Sequence, residues 1–229
     1  ADVSADAAEL RDPSSLAVFA LRGKARTLED LRPLVRRARV LDQVRFTVAE
    51  WTASPDAVLA RSRERFGTAR VVVRSSAAAE DAWSASNAGR FTSVLDVANE
   101  DAPLRDAVDR VVRAYGDAGA DAGEAFIQPH LADVAAAGVL LTRDLETGAP
   151  YRVVTVDRTT GRTDAVTSGG AAPVETHVIF RGAAPPADAL LRRLVDLSGE
   201  VEELVGHDGL DLEFAETRGG ELHLLQVRP

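Results

Sequence analysis

Residues 71–81 read VVVRSSAAAED, and this stretch decides how the rest of the chain is interpreted. Three consecutive valines are typical of the end of a buried strand, and the polar residues after them predict a loop. Open α/β sheets bind ligands at that end of their strands. Arg74 offers planar donors suited to phosphate, and Ser75 and Ser76 can approach phosphate oxygens closely. A strand followed by an ordinary helix N-cap explains the same residues, so this stretch alone establishes no ligand site.

The composition excludes several classes of protein. The chain has 229 residues, 45% of them hydrophobic, which suffices for one large domain or two small ones. Its net charge is −9 and it has no basic stretch, so we expect no nucleic acid as partner. No apolar run reaches the length of a membrane span, and we expect a cytoplasmic protein that does not bind membranes. The absence of cysteine excludes disulfides and thiol catalysis.

Lys24 is the only lysine among 27 lysine and arginine residues. Because this chain uses arginine wherever a surface cation suffices, a single lysine indicates a role that needs a compact ammonium. Chance survival of one lysine explains the count equally well. The sequence Gly23-Lys24-Ala25 predicts that the lysine lies in or just after a glycine turn, and Thr27 is predicted to cap the helix that follows.

The order of periodic segments predicts mixed α and β structure in two lobes, residues 1–120 and residues 121–229. In the first lobe, residues 44–48 alternate as a strand, and a helix opens at Ser54-Pro55 and runs to about Phe66. The second lobe is richer in strands and carries one long helix within residues 185–205. Strands at 151–156 and 162–166 are predicted to flank a turn at Thr159-Thr160-Gly161.

The last two strands allow a geometric prediction. Gly219-Gly220 favours a two-residue turn, which places Glu213 opposite Gln226 and Asp211 opposite Arg228 on one face. Opposed Cβ atoms lie about 5 Å apart. Carboxylate and amide oxygens suit Mg²⁺, and a neighbouring arginine suits a polyphosphate. A solvated polar face with a surface ion pair is the commoner explanation of a charged hairpin, so the hairpin alone establishes no metal site.

The same register predicts an apolar core on the other face of the hairpin. There Phe214 lies opposite Leu225, and Leu212 lies opposite Val227. His223 falls on this face too, so we expect it to be structural rather than catalytic.

Five separated motifs together resemble the N-terminal nucleotide-binding domain shared by pyruvate phosphate dikinase, phosphoenolpyruvate synthase and rifampin phosphotransferases. They are, in chain order, Gly23-Lys24-Ala25; Val73-Arg74-Ser75-Ser76-Ala77 with Glu80-Asp81 and Ser86-x-Ala88-Gly89; Phe126-Ile127-Gln128 with Gly138-Val139-Leu140-Leu141-Thr142-Arg143-Asp144; Asp211-x-Glu213-Phe214-Ala215; and Leu225-Gln226-Val227-Arg228-Pro229. Each motif alone is weak, but their order and their coverage of most of the chain make the set specific.

The resemblance implies an α+β, ATP-grasp-like fold of two lobes with the nucleotide cleft between them. The residues that it assigns to ATP are Lys24, Arg74, Ser75, Ser76, Glu80, Gln128 and Arg228. The residues that it assigns to Mg²⁺ are Glu213 and Gln226. Lys24, Arg74 and Arg228 are implied to be catalytic because they neutralise phosphate charge, which phosphoryl transfer needs more than covalent help.

In this family the domain passes the β-phosphoryl group of ATP to a histidine on a separate swivelling domain, and AMP and phosphate are released. No histidine of this chain lies in such a phosphohistidine context, and no swivelling domain follows Pro229 in this sequence. We therefore expect the histidine on a separate domain or partner, with a small molecule as final acceptor. Two alternatives stay open: a stand-alone small-molecule kinase or ATP-grasp ligase, and a non-catalytic nucleotide sensor. Residues 151–170 are shorter than the glycine-rich stretch usual in the family.

Overall fold

The structure, a computed structural model, describes residues 23–76, 93–116, 123–144, 147–163 and 173–229. The helices within these residues are α1 (Lys24–Leu31), α2 (Val48–Ala53), α3 (Pro55–Phe66), α4 (Asp101–Ala114) and α5 (Ala189–Val205). The strands are β1 (Arg39–Val40), β2 (Val44–Thr47), β3 (Val71–Ser75), β4 (Ser93–Val97), β5 (Glu124–Pro129), β6 (Val134–Leu141), β7 (Tyr151–Asp157), β8 (Glu175–Phe180), β9 (Asp211–Thr217) and β10 (Leu222–Arg228). None of the helices in the described ranges has the length and apolar character needed to cross a membrane.

The described residues divide into two compact units. We name them the lysine unit, residues 23–25 and 41–131, and the hairpin unit, residues 26–40 and 132–229. This division differs from the boundary predicted at residue 120. Strand β5 belongs to the lysine unit because it lies between β2 and β3 in one sheet, and β1 belongs to the hairpin unit because it pairs with β10.

The lysine unit contains an antiparallel sheet of four strands in the order β2-β5-β3-β4. Alternate side chains of the strands, such as Val71 and Val73, join the core formed with helices α2, α3 and α4. Helix α4 contributes Leu104, Val108 and Val111, whose spacing places them on one helix face. Burial of each such aliphatic side chain contributes about 1.5–3 kcal/mol.

The helix boundaries of this unit follow local signals. Pro55 begins α3, and Gly67 follows its last residue, so the predicted helix from Pro55 to Phe66 is confirmed. The predicted strand through Val48 is wrong at its end. Thr47 Oγ1 accepts the Glu50 N–H at 3.0 Å, and Glu50 Oε2 accepts the Thr47 N–H at 2.7 Å. This capping box begins α2 at Val48 and therefore ends the strand.

The predicted cap at Thr27 is also wrong. Thr27 lies inside α1 and is completely buried, because the helix begins three residues earlier, at Lys24. Gly23 precedes it with a φ of +96°, a conformation that glycine adopts readily. The lysine thus follows a glycine turn, as predicted.

The hairpin unit contains a six-stranded sheet in the order β1-β10-β9-β6-β7-β8, in which only the β1–β10 pair is parallel. Helix α5 contacts one face, where Arg152 of β7 donates to Ser198 Oγ at 2.7 Å. The partner of β7 is β8, and Arg162 and Thr163 lie in no strand, so the predicted pairing of β7 with a strand beginning at Arg162 is wrong. Residues 164–166 of that prediction lie outside the described residues.

Gly138 allows β6 and β7 to lie close together. A Cβ at this position would lie 2.0 Å from the carbonyl oxygen of Thr155, which is part of the β7 backbone. Any side chain would therefore push the two strands apart, and this explains a glycine inside a buried strand.

Candidate functional site

Lys24 is the first residue of α1 and is half-buried. The neighbouring Ala25 is held at both of its backbone polar groups. Its N–H donates to Ser76 Oγ at 2.8 Å, and its carbonyl oxygen accepts from Gln43 Nε2 at 2.7 Å. The structure therefore connects the lysine motif to the Arg-Ser-Ser motif through a hydrogen bond within the lysine unit.

The residues of the Arg-Ser-Ser motif point in different directions. Arg74 lies opposite Phe126 on β5, with its guanidinium carbon 5.7 Å from the ring centroid. Gln128, opposite Val72, shares this face because side chains alternate along a strand. Ser75 lies on the other face, which the helices cover, and is only 3% exposed. The structure thus brings Arg74 and Gln128 together and separates Ser75 from them.

The ligand roles predicted for the lysine unit remain predictions. Ser76 is buried, and its hydroxyl accepts the N–H of Ala25. Glu80 lies outside the described residues. The geometry therefore favours Lys24 and Arg74 as phosphate-binding groups over the two serine side chains, because both cations retain some exposure.

The hairpin unit places Glu213 directly opposite Gln226 on neighbouring strands, as predicted. Gln226 is 3% exposed, and its Oε1 accepts no hydrogen bond from the described residues. A buried amide oxygen without a donor is costly, so this atom fits a site that a cation completes. Arg228 lies opposite Asp211, also as predicted, and its Nε and Nη2 lie 2.7 and 2.6 Å from Asp211 Oδ2.

The turn and the strand pairing that produce this register differ from the predicted ones. Its loop has three residues, not two: Thr217 pairs with Glu221 across Arg218, Gly219 and Gly220, and Gly220 has a φ of +78°. The longer loop shifts the pairing by one residue. A β-bulge at Leu225 then shifts it back, so that Glu213 still meets Gln226.

The bulge corrects two predictions about the other residues of β10. Phe214 lies opposite Leu224 rather than Leu225. His223 lies opposite Ala215 and therefore shares the face of Glu213, not the apolar face. It is 2% exposed, and burial lowers the pKa of its imidazole, an effect that the nearby Glu221 opposes. The His223 Nε2 lies 3.1 Å from Glu221 Oε2, but the two atoms are not aligned for a hydrogen bond.

The donor set of this face fits Mg²⁺ bound together with phosphate. Mg²⁺ usually takes one or two carboxylates and completes its coordination with water and substrate phosphates. Glu213 supplies a carboxylate, and Gln226 supplies the buried oxygen that lacks a donor. Among the described residues, no group of three or more histidine, aspartate or glutamate side chains could hold a metal ion without help. The ion would therefore depend on a ligand for its remaining contacts.

Thr142 fixes the loop that leads into β9. Its Oγ1 donates to the carbonyl oxygen of Asp208 at 2.7 Å and accepts the Leu210 N–H at 2.9 Å. Arg143 pairs with the carboxylate of Asp208, and this hydrogen bond lowers the pKa of Asp208. The Thr-Arg part of the central motif therefore holds the start of the strand that carries Asp211 and Glu213.

A polar pocket of about 340 Å³ lies near the end of α5, and none of the predicted site residues lines it. Two of its charged groups pair with each other: Arg181 donates to both carboxylate oxygens of Glu202, at 2.6 and 2.7 Å. We assign the Arg181–Glu202 pair a structural role, because each charge meets its partner without a ligand.

Comparison with known proteins supports the family recognised from the motifs. Residues 24–120 match the family model of the pyruvate phosphate dikinase, AMP/ATP-binding domain. No curated protein matches the sequence significantly. Among solved structures, the chain is similar to the D-alanine-D-alanine ligase from Coxiella burnetii, with a TM-score of 0.51 and 13% identity over 92% of this chain and 48% of that chain.

A second similar structure is carboxyaminoimidazole ribonucleotide synthase from Aspergillus clavatus, complexed with ATP. Its TM-score is 0.51, with 14% identity over 92% of this chain and 45% of that chain. The chain thus spans about half the length of these two structures. At such low identity the likeness shows the fold alone, which is α+β and ATP-grasp-like, as predicted.

Proposed function

We propose that this chain is the Mg-ATP-binding domain of a phosphotransferase that passes a phosphoryl group from ATP to a histidine on a separate domain or partner. The observation that carries the proposal is the Glu213–Gln226 pair, with the Asp211–Arg228 pair beside it on the same sheet face. Residues 24–120 match an AMP/ATP-binding family model, which supports an adenine nucleotide as the ligand. The matched range includes Lys24 and Arg74.

Each residue has a role that its chemistry supports. Lys24 and Arg74 would neutralise phosphate oxygens, the first as a compact charge and the second as a planar fork. Asp211 holds the guanidinium of Arg228 in place through Nε and Nη2, and Arg228 would contact a phosphate from there. Glu213 and Gln226 would hold Mg²⁺, which, when bound, offsets the charge that develops during phosphoryl transfer.

The proposed reaction balances as histidine, ATP and water giving phosphohistidine, AMP and phosphate. The bond from the β-phosphorus to the oxygen shared with the α-phosphorus breaks, and the histidine nitrogen forms a bond to the β-phosphorus. Water attacks the γ-phosphorus, and the bond from that phosphorus to the oxygen shared with the β-phosphorus breaks. Protons from water and imidazole are released. Without the histidine we expect very slow turnover, because a site that keeps water away from the β-phosphorus leaves that phosphorus no efficient acceptor.

Phosphorus NMR of ATP and Mg²⁺ with this chain tests the proposal. With a histidine-bearing domain encoded beside this chain, we expect AMP, phosphate and a phosphohistidine signal, and all three should disappear in the Glu213→Gln variant. Rapid ADP formation with a small molecule and no protein partner would indicate a direct kinase or ligase instead. Binding of ATP without turnover under every condition would indicate a nucleotide sensor.

A further inference from the structure

Ser76 is the point at which three hydrogen bonds meet in the lysine unit. Its hydroxyl accepts the N–H of Ala25 at 2.8 Å. Its own N–H is shared between the carbonyl oxygen of Glu124, at 2.8 Å, and the Tyr115 hydroxyl, at 2.9 Å. The residue is 2% exposed, so these bonds lie in a buried environment, where they are strong. Residues distant in sequence thus hold both the side chain and the backbone of Ser76.

Tyr115 binds the same backbone groups from the end of α4. Its hydroxyl accepts from Ser76 N–H and donates to the carbonyl oxygen of Glu124. Its ring packs against the hydrophobic core of the lysine unit. Because core packing fixes the ring, the hydroxyl is held at the place where β3 ends and β5 begins.

The consequence for Lys24 follows from helix geometry. The first N–H groups of a helix have no partner within it, and a serine hydroxyl often satisfies one of them from the position just before the helix. In α1 this acceptor is Ser76, which lies 51 residues away from Ala25 in the sequence. Gln43 binds the carbonyl oxygen of the same alanine. Lys24 is therefore bonded to a residue whose N–H and carbonyl group are both fixed.

We propose that Tyr115 is a positioning residue that sets the place of Lys24 through Ser76. The inference rests on the proposed function, in which Lys24 binds phosphate. It also gives Ser76 a role other than direct phosphate contact, since its hydroxyl serves α1. Ser76 directly follows β3, which carries Arg74 two residues earlier, so the bonds at Ser76 also fix the end of the strand that carries this arginine.

The test uses the fact that the chain has one lysine and two tyrosines. Tyr115→Phe removes only the hydroxyl and keeps the ring in the core. Tyr151→Phe is the matched control, because Tyr151 lies on β7 of the hairpin unit, against Phe180. Reductive methylation with ¹³C-formaldehyde labels Lys24 and the N-terminal amine, whose NMR signals are told apart by the lower pKa of the latter.

In Tyr115→Phe we expect the Lys24 signal to move towards its position in the unfolded chain. The dissociation constant of Mg-ATP should rise about fivefold to tenfold, which corresponds to one lost hydrogen bond. Tyr151→Phe should match the wild type in both measurements. Ser76→Ala should reproduce the effect and Ser76→Thr should restore most of it, because threonine keeps the hydroxyl. Tyr115→Phe should add little to Ser76→Ala, since both act along one path.

An unchanged Lys24 signal in Tyr115→Phe would overturn the positioning role, whatever the nucleotide affinity. A wild-type chain that binds no Mg-ATP would refute the proposed function alone, since the Lys24 signal is measured without nucleotide. Should Tyr115→Phe fail to fold, the comparison of Ser76→Ala with Ser76→Thr gives the same decision: equal Lys24 signals in the two variants overturn the proposal.

Discussion

Glu213 and Glu216 lie on the same strand but on opposite faces of its sheet. Glu213 is a candidate metal ligand, whereas Glu216 forms a structural ion pair. Glu213 faces Gln226 across β10, whereas Glu216 accepts a hydrogen bond from Arg193 of α5 at 2.6 Å. The two carboxylates therefore form a matched pair for mutation.

We predict that Glu213→Gln weakens Mg²⁺-dependent ATP binding by about tenfold or more, because it removes the carboxylate charge from the candidate ion site. Glu216→Gln should leave that binding unchanged and lower stability by less than about 1 kcal/mol, as expected for a partly exposed ion pair. Calorimetric titration with ATP, with and without Mg²⁺, measures the first effect. Equal losses of Mg²⁺-dependent affinity in both variants would contradict the assignment of Glu213.

Lys24 allows a second prediction at this scale, because a single lysine can be labelled selectively. We predict that Mg-ATP protects Lys24 from acylation, measured by mass spectrometry, because bound phosphate shields the ammonium. Lys24→Arg should weaken ATP binding about tenfold although the charge is kept, since a guanidinium does not replace a compact ammonium in a confined site.

The control for the labelling introduces a second lysine at an exposed position of α3. Arg61 is exposed on α3 and lies 3.8 Å from Glu50, so Arg61→Lys should fold normally. Its new lysine should be acylated equally with and without Mg-ATP. Protection of both lysines would indicate a general effect of the nucleotide on the reaction, and protection of neither would refute the role of Lys24.

At the scale of elements, the β9–β10 hairpin depends on the conformation of one glycine. Gly220 has a φ of +78°, which strains any residue with a Cβ, although the space around it is open. Gly219 has an ordinary φ, and a Cβ there would make only a van der Waals contact with Thr217. The three-residue loop therefore requires glycine at its third position, Gly220, and not at Gly219.

We predict that Gly220→Ala lowers the free energy of unfolding by about 1–2 kcal/mol, the cost of a left-handed conformation for an L-residue. Gly219→Ala should change it by less than about 0.5 kcal/mol, as is usual for exposed positions. Urea unfolding of both variants measures the difference. A larger loss in Gly219→Ala would show that the loop has two residues, as its sequence suggests, and not three.

For the whole molecule, the buried His223 makes stability depend on pH near neutrality. Burial lowers the pKa of His223 in the folded state below its usual value of 6.5. The unfolded chain therefore takes up a proton first as the pH falls, so the free energy of unfolding becomes smaller as the pH falls below about 6.5.

A second loss of stability is expected at lower pH from Asp157. Burial raises its pKa, but hydrogen bonds from Thr160 and Thr159 outweigh that effect and bring it to about 2, so its contribution is lost as pH falls from its usual 3.8 towards 2.

Urea midpoints measured between pH 7.5 and 5.5 test the contribution of His223. We predict that His223→Gln flattens the decline over this range and leaves the decline below pH 4 in place. His177→Gln is the control, because His177 lies on strand β8 and is far more exposed than His223. An equal flattening by both variants would refute the assignment to the buried imidazole.

The sequence predicted much of the hairpin site because the signals there are local. Alternation along strands placed Glu213 opposite Gln226 and Asp211 opposite Arg228, and both pairs are confirmed. Yet the predicted turn was one residue too short, and the bulge at Leu225 was not foreseen. These two errors cancel at Glu213, which lies beyond the bulge. They do not cancel at His223, so the sheet face predicted for this residue was wrong. A bulge depends on the neighbouring strand, which no short sequence pattern reports.

The sequence by itself determined the ATP-grasp-like class, through the order of its motifs, and the bounds of α3, through Pro55 and Gly67. Such features depend on residues adjacent in the chain, whose backbone preferences act locally. Only the tertiary structure decided what Ser76 does and why Tyr115 matters. Their partners, Ala25 and Glu124, come from other segments, and hydrogen bonds between buried groups form only when packing brings those segments together.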